Sequence, residues 1–247
     1  MAGEIAATAG VAVRPAAVAA QRDRRFFTGM GIAIAAVVVA GFAPSYFFRP
    51  FTAQPPLAPL LHLHGILFSA WVALFVAQTS LVATRRTAIH RRLGLTALAL
   101  VPAMAVVGLV AAQSAAARGV TPPGGPPPLI FLVIPVADIV VFTAFAALGF
   151  SLRRHLAAHK RLMLLATIAL LPPATGRIAM MSGQGLLFMF IATDAFVVAM
   201  LLYDRWARGK FHPASVWGGL FLIASQPIRL ALASTAAWMT FAKWFTT

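Results

Sequence analysis

From Phe26 to within a few residues of the end, this chain is a succession of apolar runs. Each is near the roughly 20 residues that a helix rising 1.5 Å per residue needs to cross a bilayer. The runs fall at about 26–48, 58–83, 93–115, 129–151, 161–181, 185–203 and 214–238. Every backbone amide and carbonyl inside hydrocarbon must find its partner within the protein, so such runs have two outlets, helices or a closed barrel. Their length selects helices. The sequence therefore predicts an all-α class: a polytopic membrane helix bundle of seven transmembrane helices, forming one membrane domain over residues 26–247. Composition agrees, with 61% hydrophobic residues, 10% charged residues and a mean hydropathy of +0.88 over 247 residues. That is far from the usual make-up of domains solvated by water.

A formal charge of +15 would suggest nucleic acid in a water-solvated domain. Here the charge is a topology signal, because the basic residues cluster between apolar runs, and a nucleic-acid partner is excluded. Residues 1–25, the stretches 84–92 and 152–160 with Arg161 at their edge, and 204–213 hold fifteen of the lysines and arginines. Only Arg49, Arg118 and Lys243 lie on the other side, while Arg177 and Arg229 fall within spans. The positive-inside rule then puts the N-terminus in and the C-terminus out. Residues 1–25 read as a disordered cytoplasmic tail, and Pro44 after Gly41-Phe42-Ala43 should block cleavage, which leaves the first run an uncleaved span. The implied setting is a bacterial inner membrane, with the lipid bilayer as the first partner.

One internal repeat bears on organisation. Arg85-Arg86 followed by His90-Arg91-Arg92-Leu93 returns as Arg153-Arg154 followed by His159-Lys160-Arg161-Leu162, and Leu95 and Ala97 match Leu164 and Ala166. Spans 2–3 and 4–5 thus read as two copies of one hairpin, with His90 and His159 at equivalent depths. The other explanation is two basic loops converging under the same topological rule.

With no cysteine in the chain, disulfides, thiolate metal sites and thiol catalysis are excluded. No Walker loop, dinucleotide-binding glycine pattern or zinc-protease motif occurs. Three groups of residues remain that can carry chemistry. Asp138, Arg177, Asp194 and Arg229 lie inside spans, where a charge is expensive and usually paired. From the span starts both aspartates sit about 13 Å, and both arginines roughly 6–10 Å, below the outer surface. Arg177 is therefore expected to meet Asp194, and Arg229 to meet Asp138 or Asp194. They would act as helix-locking pairs, or as the ligand or proton site of a transporter or lipid-binding protein.

His62 and His64 begin span 2 near the same surface. Imidazole with the thioethers of Met180, Met181 and Met189 is a ligand set for copper(I), provided that Pro56 and Pro59 distort the helix start enough for one ion to take both imidazoles. On the basic side, His90, His155, His159 and His212 stand beside arginine or lysine. They read either as interfacial anchors to anionic headgroups or as ligands of a b-type haem, with Arg92 and Arg161 on the propionates and His155 the rival ligand to His159. A quinone or phospholipid headgroup would suit the same groups. Pro102, Pro135, Pro172-Pro173 and Pro227 are expected to kink their helices and free carbonyls.

Taken together, His62-Leu63-His64-Gly65, Gln78 with His90-Arg91-Arg92-Leu93-Gly94, and His159-Lys160-Arg161-Leu162-Met163 with Arg177 resemble a family of uncharacterised bacterial multi-pass membrane proteins. The resemblance spans about residues 58–180. The His-Lys-Arg-Leu-Met segment is also similar to one in small membrane proteins linked to cytochrome oxidase assembly. The resemblance implies a role in the respiratory membrane, with respiratory-chain or oxidase subunits as partners. In outline the chain is similar to the diheme transmembrane cytochromes b, but its outer side has histidines on span 2 alone. One haem on the cytoplasmic side is then the expectation, rather than two stacked.

Overall fold

The computed structural model describes residues 15–247, all helix and connecting turns with no strand among them. The protein is an all-α polytopic membrane bundle. Its helices are α1 (Pro15–Phe42), α2 (Pro59–Ala83), α3 (Thr87–Gly94), α4 (Ala97–Ala117), α5 (Pro128–Phe131), α6 (Val133–Ser151), α7 (Leu156–Ala169), α8 (Pro172–Met181), α9 (Leu186–Arg208), α10 (Pro213–Ala233) and α11 (Ala236–Thr246). Six spans are long and apolar enough to cross a membrane, or seven if α7 and α8, bent by 43° at their junction, are one broken span. Each of the seven apolar runs thus has its helix.

The prolines explain several breaks. Pro172 and Pro173 open α8, where a missing amide hydrogen costs nothing, and the chain bends just before them. Pro135 falls in the first turn of α6 rather than mid-helix, while Pro102 and Pro227 lie inside α4 and α10.

Two boundaries differ from the sequence reading. The first helix starts at Pro15, so residues 15–25 belong to it rather than to a tail; residues 1–14 lie outside the described residues. The last run does not continue to residue 238. It stops at Ala233, and Thr235, whose hydroxyl accepts from the Trp238 amide at 3.2 Å, caps the separate helix α11. That short helix is held against the bundle by Trp238, which donates through Nε1 to the Leu129 carbonyl at 2.8 Å, and by Gln113, which donates to the Phe245 carbonyl at 2.6 Å.

Helix α7 is the centre of the bundle. It touches α1, α6, α9 and α10, and from Arg161 to Ala169 all but one of its residues are buried. Its sequence allows this, because Leu162, Leu164, Leu165, Ala166 and Ile168 are apolar around the whole circumference. Trp71 of α2 reaches in to it, donating through Nε1 to the Thr167 hydroxyl at 3.3 Å.

Candidate functional site

From its second turn onward α7 is enclosed by the bundle, and the first residue it buries there is Arg161. The side chain has no exposed surface, and neither does that of Asp204 on α9, which receives it. Nε donates to Oδ2 at 2.9 Å, a second guanidinium nitrogen meets Oδ1, and Nη1 donates to the Ala157 carbonyl at 2.7 Å. Ser215 of α10 completes the carboxylate, donating to Oδ2 at 2.5 Å. Such a two-point pair with its remaining lone pair satisfied is what lets charges persist in a low-dielectric interior.

Next to it, Asp23 of α1 pairs with Lys160 and accepts from the Tyr203 hydroxyl at 2.5 Å. Arg161 is therefore committed to Asp204 and does not stand ready for haem propionates, contrary to the sequence expectation. Arg92, its counterpart in the first hairpin, is exposed.

The two hairpins do match in structure. His90 is the fourth residue of α3 and His159 the fourth of α7, and each helix starts directly after the basic turn. His159 bonds through Nδ1 to the Gly149 carbonyl of the preceding helix at 2.7 Å, which leaves Nε2 for another partner. Gly94, the last residue of α3, faces Gln78 of the preceding helix, whose Nε2 would lie 3.4 Å from a Cβ there. Here the hydrogen bonding is incomplete: Nδ1 of His90 and both Oε1 and Nε2 of Gln78 are buried without a partner, as is the Thr28 hydroxyl on α1. An apolar groove between α2 and α4, lined by Leu67, Ala70, Leu74 and Leu100, ends at Ala77 and Leu93, the chain neighbours of Gln78 and Gly94. His155 is not with this group. It is exposed at the start of α7 and shares a shallow depression with His212.

The intramembrane charges do not form one cluster. Arg229 pairs with Asp138, one of its two expected partners, and also holds Ser225, through Nη2 to its hydroxyl at 2.8 Å. Asp194 is taken by Gln226, which donates to it at 2.6 Å, and not by Arg177. Arg177 instead turns to α1, where Nε donates to the Ser45 hydroxyl at 3.3 Å and the guanidinium lies 4.2 Å from the centre of the Phe42 ring. Depth along the membrane was legible, but the direction in which each side chain points around its helix decided the partners.

The copper reading required a distorted start to α2, and α2 is regular from Pro59. The two imidazoles go separate ways, His62 beside Tyr46 and His64 stacked on Phe68 with ring centres 4.1 Å apart. Met189 packs into the core against Gly176, whereas Met180 and Met181 are exposed. Among the described residues no three His, Asp or Glu side chains gather as metal ligands.

Asp23, Asp204 and Ser215 escaped the sequence reading. The signal available was scarcity: with five acidic residues against twenty basic ones, every carboxylate near a span has many suitors, and Asp204 at the edge of a basic loop was one to explain. No family model, curated protein or solved structure matches the chain.

Proposed function

We propose that this is a bacterial inner-membrane protein of the respiratory membrane that holds a redox cofactor at the basic end of the bundle, at Gln78, His90 and His159. The observation that carries the reading is the pair of buried, unpartnered groups at this end of the bundle, the side-chain amide of Gln78, whose Nε2 lies against Gly94, and Nδ1 of His90, with the α2–α4 groove reaching Ala77 and Leu93, the chain neighbours of Gln78 and Gly94. Buried polar groups without partners cost about 1–3 kcal/mol each, a penalty that a hydrogen-bonding ligand removes. A quinone matches this arrangement: its ring carbonyls accept from the amide and an imidazole N–H, and its isoprenoid tail suits the groove between Leu74 and Leu100. The ligand would pass between this protein and respiratory-chain or oxidase subunits.

A b-type haem is the second reading, favoured by the Nδ1 bond of His159 to Gly149, which fixes the ring and leaves Nε2 as a donor. The imidazoles fit that ligand and Arg92 is free to meet a propionate, but Arg161 is not.

The test is an absorption spectrum and an organic extract of protein purified in mild detergent. Quinone in near-stoichiometric amount, lost in Gln78→Leu and His90→Ala, supports the first reading. A haem band that His90→Ala and His159→Ala abolish selects the second. Protein that carries neither, and gains neither when quinone or haem is added, overturns both.

A further inference from the structure

The opposite end of the bundle presents a different chemistry. Helix α1 does not finish regularly there: Pro44 sits in a π-helical turn over Ala43–Phe47, followed by a 3-10 turn over Arg49–Phe51. Widened turns of this kind often re-aim side chains at functional sites. The turn lies against α8 because Gly41 permits it; a Cβ there would come within 2.5 Å of the Ala174 carbonyl oxygen. Two guanidinium groups then converge on Ser45. Arg49 donates to its carbonyl at 3.4 Å, and Arg177 donates to its hydroxyl at 3.3 Å.

Each arginine is positioned by further neutral acceptors, Arg177 by the Pro173 carbonyl at 2.8 Å and Arg49 by Pro55 and Gln54 at 2.8 and 2.9 Å. Neither meets a carboxylate among the described residues. Asp138 holds Arg229, Asp194 holds Gln226, and Asp23 and Asp204 are engaged at the basic end. Beside them, Tyr46 lies against Gly65 and His62 of α2. His64 directly precedes the Gly65 that Tyr46 covers, and its buried Nδ1 has no partner.

Two cations, a phenol and an imidazole with no acid among them are incomplete without an anion. Arg177 belongs to the apolar pair α7–α8, and a guanidinium without a counter-charge is costly in such a segment. The planar fork of arginine and its spare N–H groups match the oxygens of a phosphate better than any single point acceptor.

We propose that Arg177 and Arg49, with Tyr46 and His64, form an oxyanion site for a phosphate group presented at the outer face of the membrane. The group is either the headgroup phosphate of an anionic lipid or free phosphate. Full-length protein in mild detergent is to be titrated with phosphatidylglycerol, read by native mass spectrometry, and separately with inorganic phosphate, read by calorimetry. Saturable binding of phosphatidylglycerol alone assigns the site to lipid; binding of inorganic phosphate assigns it to a soluble ligand. In either case Arg177→Gln should weaken binding about tenfold and Arg49→Gln less, as expected for removal of a charge-assisted bond. Arg118→Gln, at the same face but outside the site, should change nothing. If Arg177→Gln does not fold, Arg49→Gln and Tyr46→Phe carry the test. Wild-type protein that binds neither probe, or site variants that bind as wild type does, would overturn the proposal.

Discussion

Arg161 and Asp204 face each other across the contact between α7 and α9 with no exposed surface on either side chain, Nε donating to Oδ2 at 2.9 Å. The pair sits where the central helix begins, and through Ser215 it reaches α10 as well. It therefore fixes three spans relative to one another at the end where the basic loops lie. Asp23, bonded to Lys160 of α7 and Tyr203 of α9, brings α1 into the same network.

Breaking that pair should be among the most damaging changes available to the chain. Arg161→Met leaves a buried carboxylate held by one hydroxyl, and removal of one partner from a buried pair typically costs about 3–5 kcal/mol. Replacing both, as Arg161→Met with Asp204→Leu, should recover a large part of that loss, since no uncompensated charge remains. Thermal unfolding in detergent of the two single variants and the double variant measures this. Losses that simply add in the double variant would show that the two residues act independently.

The same comparison separates the pairs that form from one that does not. Arg229 and Asp138 should show coupling, of about 0.5–3 kcal/mol for residues in one network. Arg177 and Asp194 should show none, because the structure gives them different partners. Coupling between Arg177 and Asp194 equal to that of the first pair would mean that α8 and α9 adopt another rotation.

Much of the architecture was legible because hydrocarbon thickness fixes helix length and backbone satisfaction fixes helix type. All seven runs were found on that basis, with Pro172-Pro173 marking the one sharp bend. Depth is also linear in sequence, which is why the partners of Arg229 could be narrowed to Asp138 and Asp194 from spacing alone. Rotation about each axis, and which helix is central, depend on packing that no local pattern records. Arg161 reads as an interfacial basic residue like Arg92, its counterpart in the repeat. Only the position of α7 at the centre turns one into a buried lock and leaves the other exposed. Likewise Ser45 is unremarkable until the π-helical turn brings it to Arg177.

Orientation rests on the distribution of lysine and arginine, and a reporter tests it directly. A periplasmic reporter should be active after Thr247 and inactive after Arg208. In the structure α10 lies between these points as one span, with the short α11 beyond it. Activity after Arg208 and silence after Thr247 would reverse the whole arrangement.

His212 makes stability depend on pH, with a sign that follows from its hydrogen bond. Its imidazole caps α10, accepting from the Ala214 amide through Nδ1 at 3.1 Å, and an accepting nitrogen must be unprotonated. Partial burial, then the nearby Arg161, Arg208 and Lys160, hold its pKa below the ordinary 6.5, against the single favourable charge of Asp204; the neighbouring His155 shares its depression. The helix N-terminus itself disfavours a cation there. Between the folded and unfolded values the unfolded chain binds more protons, so stability is complete above about pH 6.5 and falls as pH drops below it. His212→Asn keeps a capping side chain and removes the titration. It should match wild type near neutral pH and lose less stability than wild type between about pH 6.5 and 5, the range in which an ordinary histidine titrates. Melting temperatures of both proteins over that range are the measurement, and parallel curves would show that the cap does not titrate as described.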